Sequence, residues 1–107
     1  MRRIYIAGPY SIGDKLANVR AAIKAGDELL TAGYEPYVPH LTHYWHELYP
    51  HERERWMKLH RDWLLLSDAL VRLFGQSKGA DIECEVARGI PIPVFGSVAE
   101  CMAGSYR

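Results

Sequence analysis

The chain has 107 residues, 49% hydrophobic and 24% charged, the size and balance of one soluble globular domain built on a single core. Its thirteen basic and thirteen acidic residues cancel, which argues against a nucleic-acid polymer, since that normally demands a basic face, although a single nucleotide needs only a few local donors. No stretch has the apolar length of a bilayer span, and the opening MRRIYIAGPYS lacks the long apolar region of a signal peptide, so cytoplasm is the default expectation.

Arg3 to Ala7 (RIYIA) is a short apolar, β-branched and aromatic run halted by Gly8 and Pro9, which predicts a buried strand followed by a turn. From about Lys15 to Ala32, Leu16, Val19, Ala22, Ile23, Leu29 and Leu30 fit one helical stripe, and Gly33 supplies the stop. Tyr34 to Val38 reads as a second strand, bounded by Pro39. The stretch PHLTHYWHELYPHERERW that follows reads as a polar and aromatic loop. Its end overlaps a helix expected from Glu52 to Leu66, with Trp56, Leu59, Trp63 and Leu66 on one side and Glu52 to Arg55 opposite. Asp68 to Phe74 predicts a third strand, Ser77 to Arg88 a third helix closed by Gly89, IPIPVFG a fourth strand, and Val98 to Met102 a short last helix.

Strand and helix alternate throughout. That order predicts a three-layer α/β domain over residues 1–107, a mainly parallel sheet of roughly four to five strands flanked by helices, flavodoxin-like or Rossmann-like. Ligands in such sheets sit beyond the carboxyl ends of the strands, an edge that gathers Gly8 to Ser11, Pro39 to His43 and Gly75 to Gly79.

The motif AGPYSIG lacks both the G-x-G-x-x-G spacing of a dinucleotide loop and the Lys-Ser/Thr end of a P-loop, so a simple turn is favoured over a phosphate cradle. GQSKGA is better placed for an anion, because Ser77 and Gly79 can offer hydroxyl and backbone donors at a helix N-terminus. His40, His43 and His46 recur every third residue, so a zinc site is a rival to hydrogen-bonded loop imidazoles, but Pro39 and the aromatic composition favour a loop. Cys84 and Cys101 form neither a metal spacing nor a disulfide framework. Among the acids of SKGADIECEVARG, helical phase separates Asp81 and Glu85, which share a face, from Glu83, which projects roughly opposite. If the outer pair faces solvent, Glu83 turns toward the carboxyl edge of the sheet, where the helix dipole favours the ionised form that a carboxylate nucleophile needs.

IYIAGPYS, GADIECEVA and GIPI resemble the nucleoside 2-deoxyribosyltransferase superfamily, more closely its short bacterial and phage members and the related 2′-deoxynucleoside 5′-monophosphate N-hydrolases. The likeness runs along nearly the whole chain, with Gly79, Glu83 and Ala87 as the core motif and Ser77 and Asp68 in support. It implies that Glu83 attacks the anomeric carbon of a deoxyribosyl group, that the base departs, and that water or a second base resolves the glycosyl ester. By position, Asp68 would protonate or position the base and Tyr5 would orient Glu83. Gly8, Pro9, Ser11, Ser77 and Gly79 would border the sugar and any 5′-phosphate, and loop position brings His40 or His43 toward the base or phosphate. The implied partner is a small-molecule nucleoside or nucleotide, with no cofactor and no metal. The resemblance also implies a homodimer or larger homo-oligomer, with Tyr44 to Trp56 as the interface candidate. One departure stands out: relatives commonly carry glycine two residues after the nucleophile, and here that residue is Glu85, which points either to solvent or into the pocket. A nucleotide-binding or sensing module without turnover is the alternative that Glu85 favours.

Overall fold

The computed structural model describes residues 2–104. The elements, in order, are β1 (Arg3–Ala7), α1 (Lys15–Thr31), β2 (Glu35–Tyr37), a 3-10 turn (Pro39–Leu41), α2 (Thr42–Leu48), α3 (Arg53–Leu64), β3 (Ala69–Arg72), α4 (Lys78–Gly89), β4 (Val94–Phe95) and α5 (Val98–Ala103). The four strands form one sheet in the order β2-β1-β3-β4, and every pairing is parallel, with Ile4 opposite Ala69 and Tyr5 opposite Leu70.

Side chains alternate across a strand, so β1 feeds both faces of the sheet. Ile4 and Ile6 join Ala69 and Val71 against Ala22, Ala25 and Leu29 of α1 and Val98 and Cys101 of α5. Tyr5, Ala7 and Leu70 pack on the other face with Leu64 of α3 and Ala80, Cys84 and Ala87 of α4. Helices thus cover both faces, which is why β1 reads as a continuous apolar run. The fold is a three-layer α/β sandwich of Rossmann-like type. Among the described residues no helix is long and apolar enough to cross a membrane.

Several local expectations are corrected. The buried ridge of α1 is Val19, Ala22, Ala25, Gly26 and Leu29, while Leu16, Ile23 and Leu30 are exposed. Small residues win that face because the helix approaches closely: a Cβ on Gly26 would stand 2.6 Å from Val38 Cγ2. Helix α1 does end as expected, with Gly33 at φ +95° and the amides of Gly33 and Tyr34 donating to the carbonyls of Leu30 and Leu29.

The aromatic stretch after Pro39 is not a loop but a 3-10 turn running into α2. Pro39 opens that turn, where its missing N–H is no loss, and the Thr42 hydroxyl donates to the Pro39 carbonyl at 2.8 Å. Helix α3 ends at Leu64, its buried contact, whereas Trp63 and, beyond the helix, Leu66 are exposed. Gly89 belongs to α4 rather than stopping it, and β4 is only two residues long, preceded by Pro91 and Pro93, which bring no N–H to a ladder.

Candidate active site

Because the strands are parallel, the segments leaving β1, β2 and β3 emerge on one edge. There they surround a cavity of about 570 Å³ that Glu83 lines together with the first turn of α4. Backbone packing fixes its rim. A Cβ on Gly8 would lie 2.9 Å from Leu73 Cβ, and one on Gly75, whose φ is +123°, would lie 2.7 Å from Pro9 Cγ. The loops after β1 and β3 are therefore in direct contact, and glycine at 75 meets both a steric and a conformational demand.

Arg72 closes β3 and ties the next loop to α4. Its guanidinium donates to the carbonyls of Leu73 at 2.5 Å and Gly75 at 3.0 Å, and to Asp81 Oδ1 at 2.9 Å. Helix α4 begins at the Ser77 cap, whose hydroxyl oxygen accepts from the Ala80 amide at 3.1 Å. From that start Asp81 and Glu85 point outward and are exposed, while Glu83 is turned toward the sheet. Glu85 lines a separate shallow groove with Arg72, Asp81 and Arg88, away from the cavity.

The Tyr5 hydroxyl, rising from the buried centre of β1, donates to Glu83 Oε2. Burial raises the Tyr5 phenol far above its ordinary value, and the Glu83 charge and hydrogen bond add to it, so Tyr5 stays a donor. Burial also raises the Glu83 carboxyl from 4.5 to about 7, against the Tyr5 hydrogen bond and the Arg72 guanidinium, which both favour the ionised form. Glu83 is thus a carboxyl held near the midpoint of its titration at neutral pH.

All five histidines of the chain line this cavity. His40 Nε2 donates to the carbonyls of Pro9 at 3.0 Å and Gly8 at 3.3 Å, which leaves Nδ1 a buried acceptor without a hydrogen-bond partner. Burial lowers the His40 pKa, so the ring is neutral. His43 Nδ1 meets the Tyr10 hydroxyl at 2.6 Å, and His46 Nδ1 accepts from Trp56 Nε1 at 2.8 Å. His60 Nδ1 meets the Tyr37 hydroxyl at 3.1 Å. Among the described residues no three His, Cys, Asp or Glu side chains converge as a metal-binding group.

Of the residues singled out in the sequence, Gly8, Ser11, His40, His43, Ser77, Gly79 and Glu83 line the cavity. Tyr5 lies beneath Glu83, and Pro9 contributes its carbonyl to His40. Asp68 does not join them. It precedes β3 at the amino edge of the sheet, where its Oδ2 accepts from the Arg3 amide at 2.7 Å and its own amide donates to the Arg3 carbonyl at 2.7 Å. The four residues of β3, at about 3.3 Å each, put roughly 13 Å between it and the carboxyl edge. Sequence reasoning missed Arg53, Trp56, Met57 and His60, all of which line the cavity from α3. Their spacing of three and four residues is one helix face, a signal that was legible once that face was not assumed to be core.

A family model described as a domain of unknown function, DUF7768, matches residues 2–96. The chain belongs to that family. No curated protein matches it in sequence. Among solved structures it is similar to a 2-deoxyribosyltransferase from the psychrotolerant bacterium Bacillus psychrosaccharolyticus. The TM-score is 0.62 at 18% identity, covering 94% of this chain and 78% of that one. At that identity the likeness is one of fold. In this DUF7768 member the shared fold brings the Tyr5–Glu83 pair to the edge where α/β sheets of this kind bind ligands.

Proposed function

We propose that this chain cleaves or transfers at the N-glycosidic bond of a 2′-deoxynucleoside or its 5′-monophosphate, with Glu83 as nucleophile. The observation that carries the reading is the Tyr5–Glu83 pair: a carboxylate on the wall of a cavity, oriented by a phenol rather than neutralised by a cation. Support also comes from the fold neighbour, whose description is that of a 2-deoxyribosyltransferase.

The Glu83 carboxylate attacks C1′ while the C1′–N bond breaks, and its electron pair leaves with the base. The resulting glycosyl ester is then opened by water, giving hydrolysis, or by a second base, giving transfer. Tyr5 holds the attacking oxygen in place. Ser77 and the first amides of α4 offer donors to the sugar or a 5′-phosphate, with Lys78 beside them as a cation. A homo-oligomer fits the exposed apolar side chains of the α2 region, where Trp45, Leu48 and Tyr49 are 52%, 75% and 69% accessible.

The test is incubation with a panel of 2′-deoxynucleosides and their 5′-monophosphates, with and without an acceptor base. Free or exchanged base that disappears in Glu83→Gln is the expected result; no product from any substrate overturns the proposal. Glu85 is exposed and lines a groove away from the cavity, which supports turnover over a binding module. The same assay separates the two, since tight binding without product would select the module.

A further inference from the structure

Tyr37 and His60 have no task in the reaction as written, yet Tyr37 packs against Tyr5 and His60 lines the cavity. The Tyr37 ring stacks on Tyr5 at 5.5 Å and on Trp63 at 5.7 Å, so two flat neighbours clamp it and fix the direction of its hydroxyl. That hydroxyl has one hydrogen-bond partner among the described residues, His60 Nδ1 at 3.1 Å. Burial, and after it the Glu83 charge, raises the Tyr37 phenol to about 12, while burial and the neighbouring His40 lower His60 to about 4. Both partners are therefore neutral at physiological pH.

Two neutral groups share this one contact, and Nδ1 is the acceptor the described residues offer the phenol hydrogen; with Tyr37 donating to Nδ1, the imidazole proton resides on Nε2. His60 Nε2 has no acceptor among the described residues, and it is absent from the polar atoms that are both buried and unpartnered. It is an open donor on a residue that lines the cavity. The same helix face carries Trp56 and Met57 into the cavity, with Ile12 across from the β1 loop, an apolar and aromatic lining suited to a planar heterocycle with polar edges.

We propose that His60, held as the Nε2–H tautomer by Tyr37, hydrogen-bonds the nucleobase and stabilises it as it departs. This rests on the glycosidic reading above. As the C1′–N bond breaks, its electron pair moves into the base ring while a C1′–O bond forms to Glu83. Negative charge grows on the base, so a fixed N–H donor binds the transition state more strongly than the ground state. No proton leaves His60. In hydrolysis the water that opens the ester gives its hydroxyl to C1′ and its proton to the base, and Glu83 returns as the carboxylate.

The experiment compares 2′-deoxyguanosine with its N7-methyl derivative, each as nucleoside and as 5′-monophosphate. The methylated base is already cationic and departs without a donor. His60→Ala is expected to lower kcat on the unmethylated substrate by roughly a hundredfold and to leave the methylated one within a few-fold of wild type. His60→Gln, which keeps an N–H donor, restores part of the loss, and Tyr37→Phe, which frees the tautomer, falls between. Equal losses on both substrates, or a change in KM alone, would overturn the role of His60 while leaving Glu83 chemistry intact. Base release by the wild type from neither of these substrates nor from any other member of the panel above would overturn the glycosidic reading and this inference with it.

Discussion

Replacing Glu83 with glutamine removes a carboxyl that the fold discourages from ionising, so it should stabilise the protein in a pH-dependent way. In the unfolded chain that carboxyl titrates near 4.5, and in the folded protein near 7. Between those values the unfolded state has lost the proton and the folded state still holds it. Wild-type stability therefore falls as pH rises through the window and levels off above it. At about 1.36 kcal/mol per pH unit the loss is about 3 kcal/mol, a large part of the roughly 5–15 kcal/mol that holds a domain together. The Tyr5 hydrogen bond and the Arg72 guanidinium already reduce this loss, since both lower the Glu83 pKa. Glutamine keeps an oxygen for the Tyr5 hydroxyl and has no proton to release. Urea unfolding of both proteins from pH 4 to pH 9 should show a difference that is small at the acid end and grows by about 3 kcal/mol by pH 8, equivalent to a melting-temperature gain on the order of 10 °C. Two curves separated by the same amount at every pH would refute the reasoning, because ionisation of Glu83 would then not be linked to folding.

The same carboxyl should govern activity. With an ionised Glu83 as nucleophile, kcat/KM rises with pH on an acid limb of apparent pKa near 7. Tyr5→Phe and Arg72→Met each remove a group that favours the carboxylate, so each should move the limb to higher pH; a limb that stays or moves down contradicts the assignment. Asp68→Ala, at the far edge of the sheet, should lose about 1 kcal/mol of stability with the Arg3 amide contact and leave kcat within twofold of wild type, as read by urea unfolding and product assay. A loss of kcat comparable to that of Glu83→Gln would return Asp68 to the chemistry.

The parts of the fold legible in the sequence are those set by local pattern. RIYIA has no polar face to give to solvent, and the alternation of strands with helices leaves little choice but a parallel sheet. Helix phase alone separates Glu83 from Asp81 and Glu85, because 100° per residue acts within a single α4 and needs no knowledge of its neighbours.

What stayed hidden depends on pieces far apart in the chain. The large residues Leu16, Ile23 and Leu30 suggested a core stripe, but the close approach of α1 to Val38 selects Ala22, Ala25 and Gly26 instead. Asp68 matched a spacing, while the direction of β3 carries it to the other end of the sheet. The Tyr37–His60 pair joins β2 to α3 across twenty-three residues, through a stretch whose aromatic composition suggested a loop. The sequence pattern sets Arg53 opposite Trp56, yet both line the cavity: α3 packs on the sheet mainly through Leu64, which leaves the Arg53–His60 face, with Arg53 exposed, to the cavity rim.

The central claim is that Glu83 forms a covalent bond to the sugar. Mass spectrometry of the intact protein and of its proteolytic peptides after rapid acid quench, with a 2′-deoxynucleoside or its 5′-monophosphate in excess, tests it most directly. The account predicts an adduct of the mass of the deoxyribosyl group, or its phosphate, on the peptide containing Glu83, absent in Glu83→Gln. Release of base by the wild type with no adduct, and undiminished release by Glu83→Gln, would contradict it.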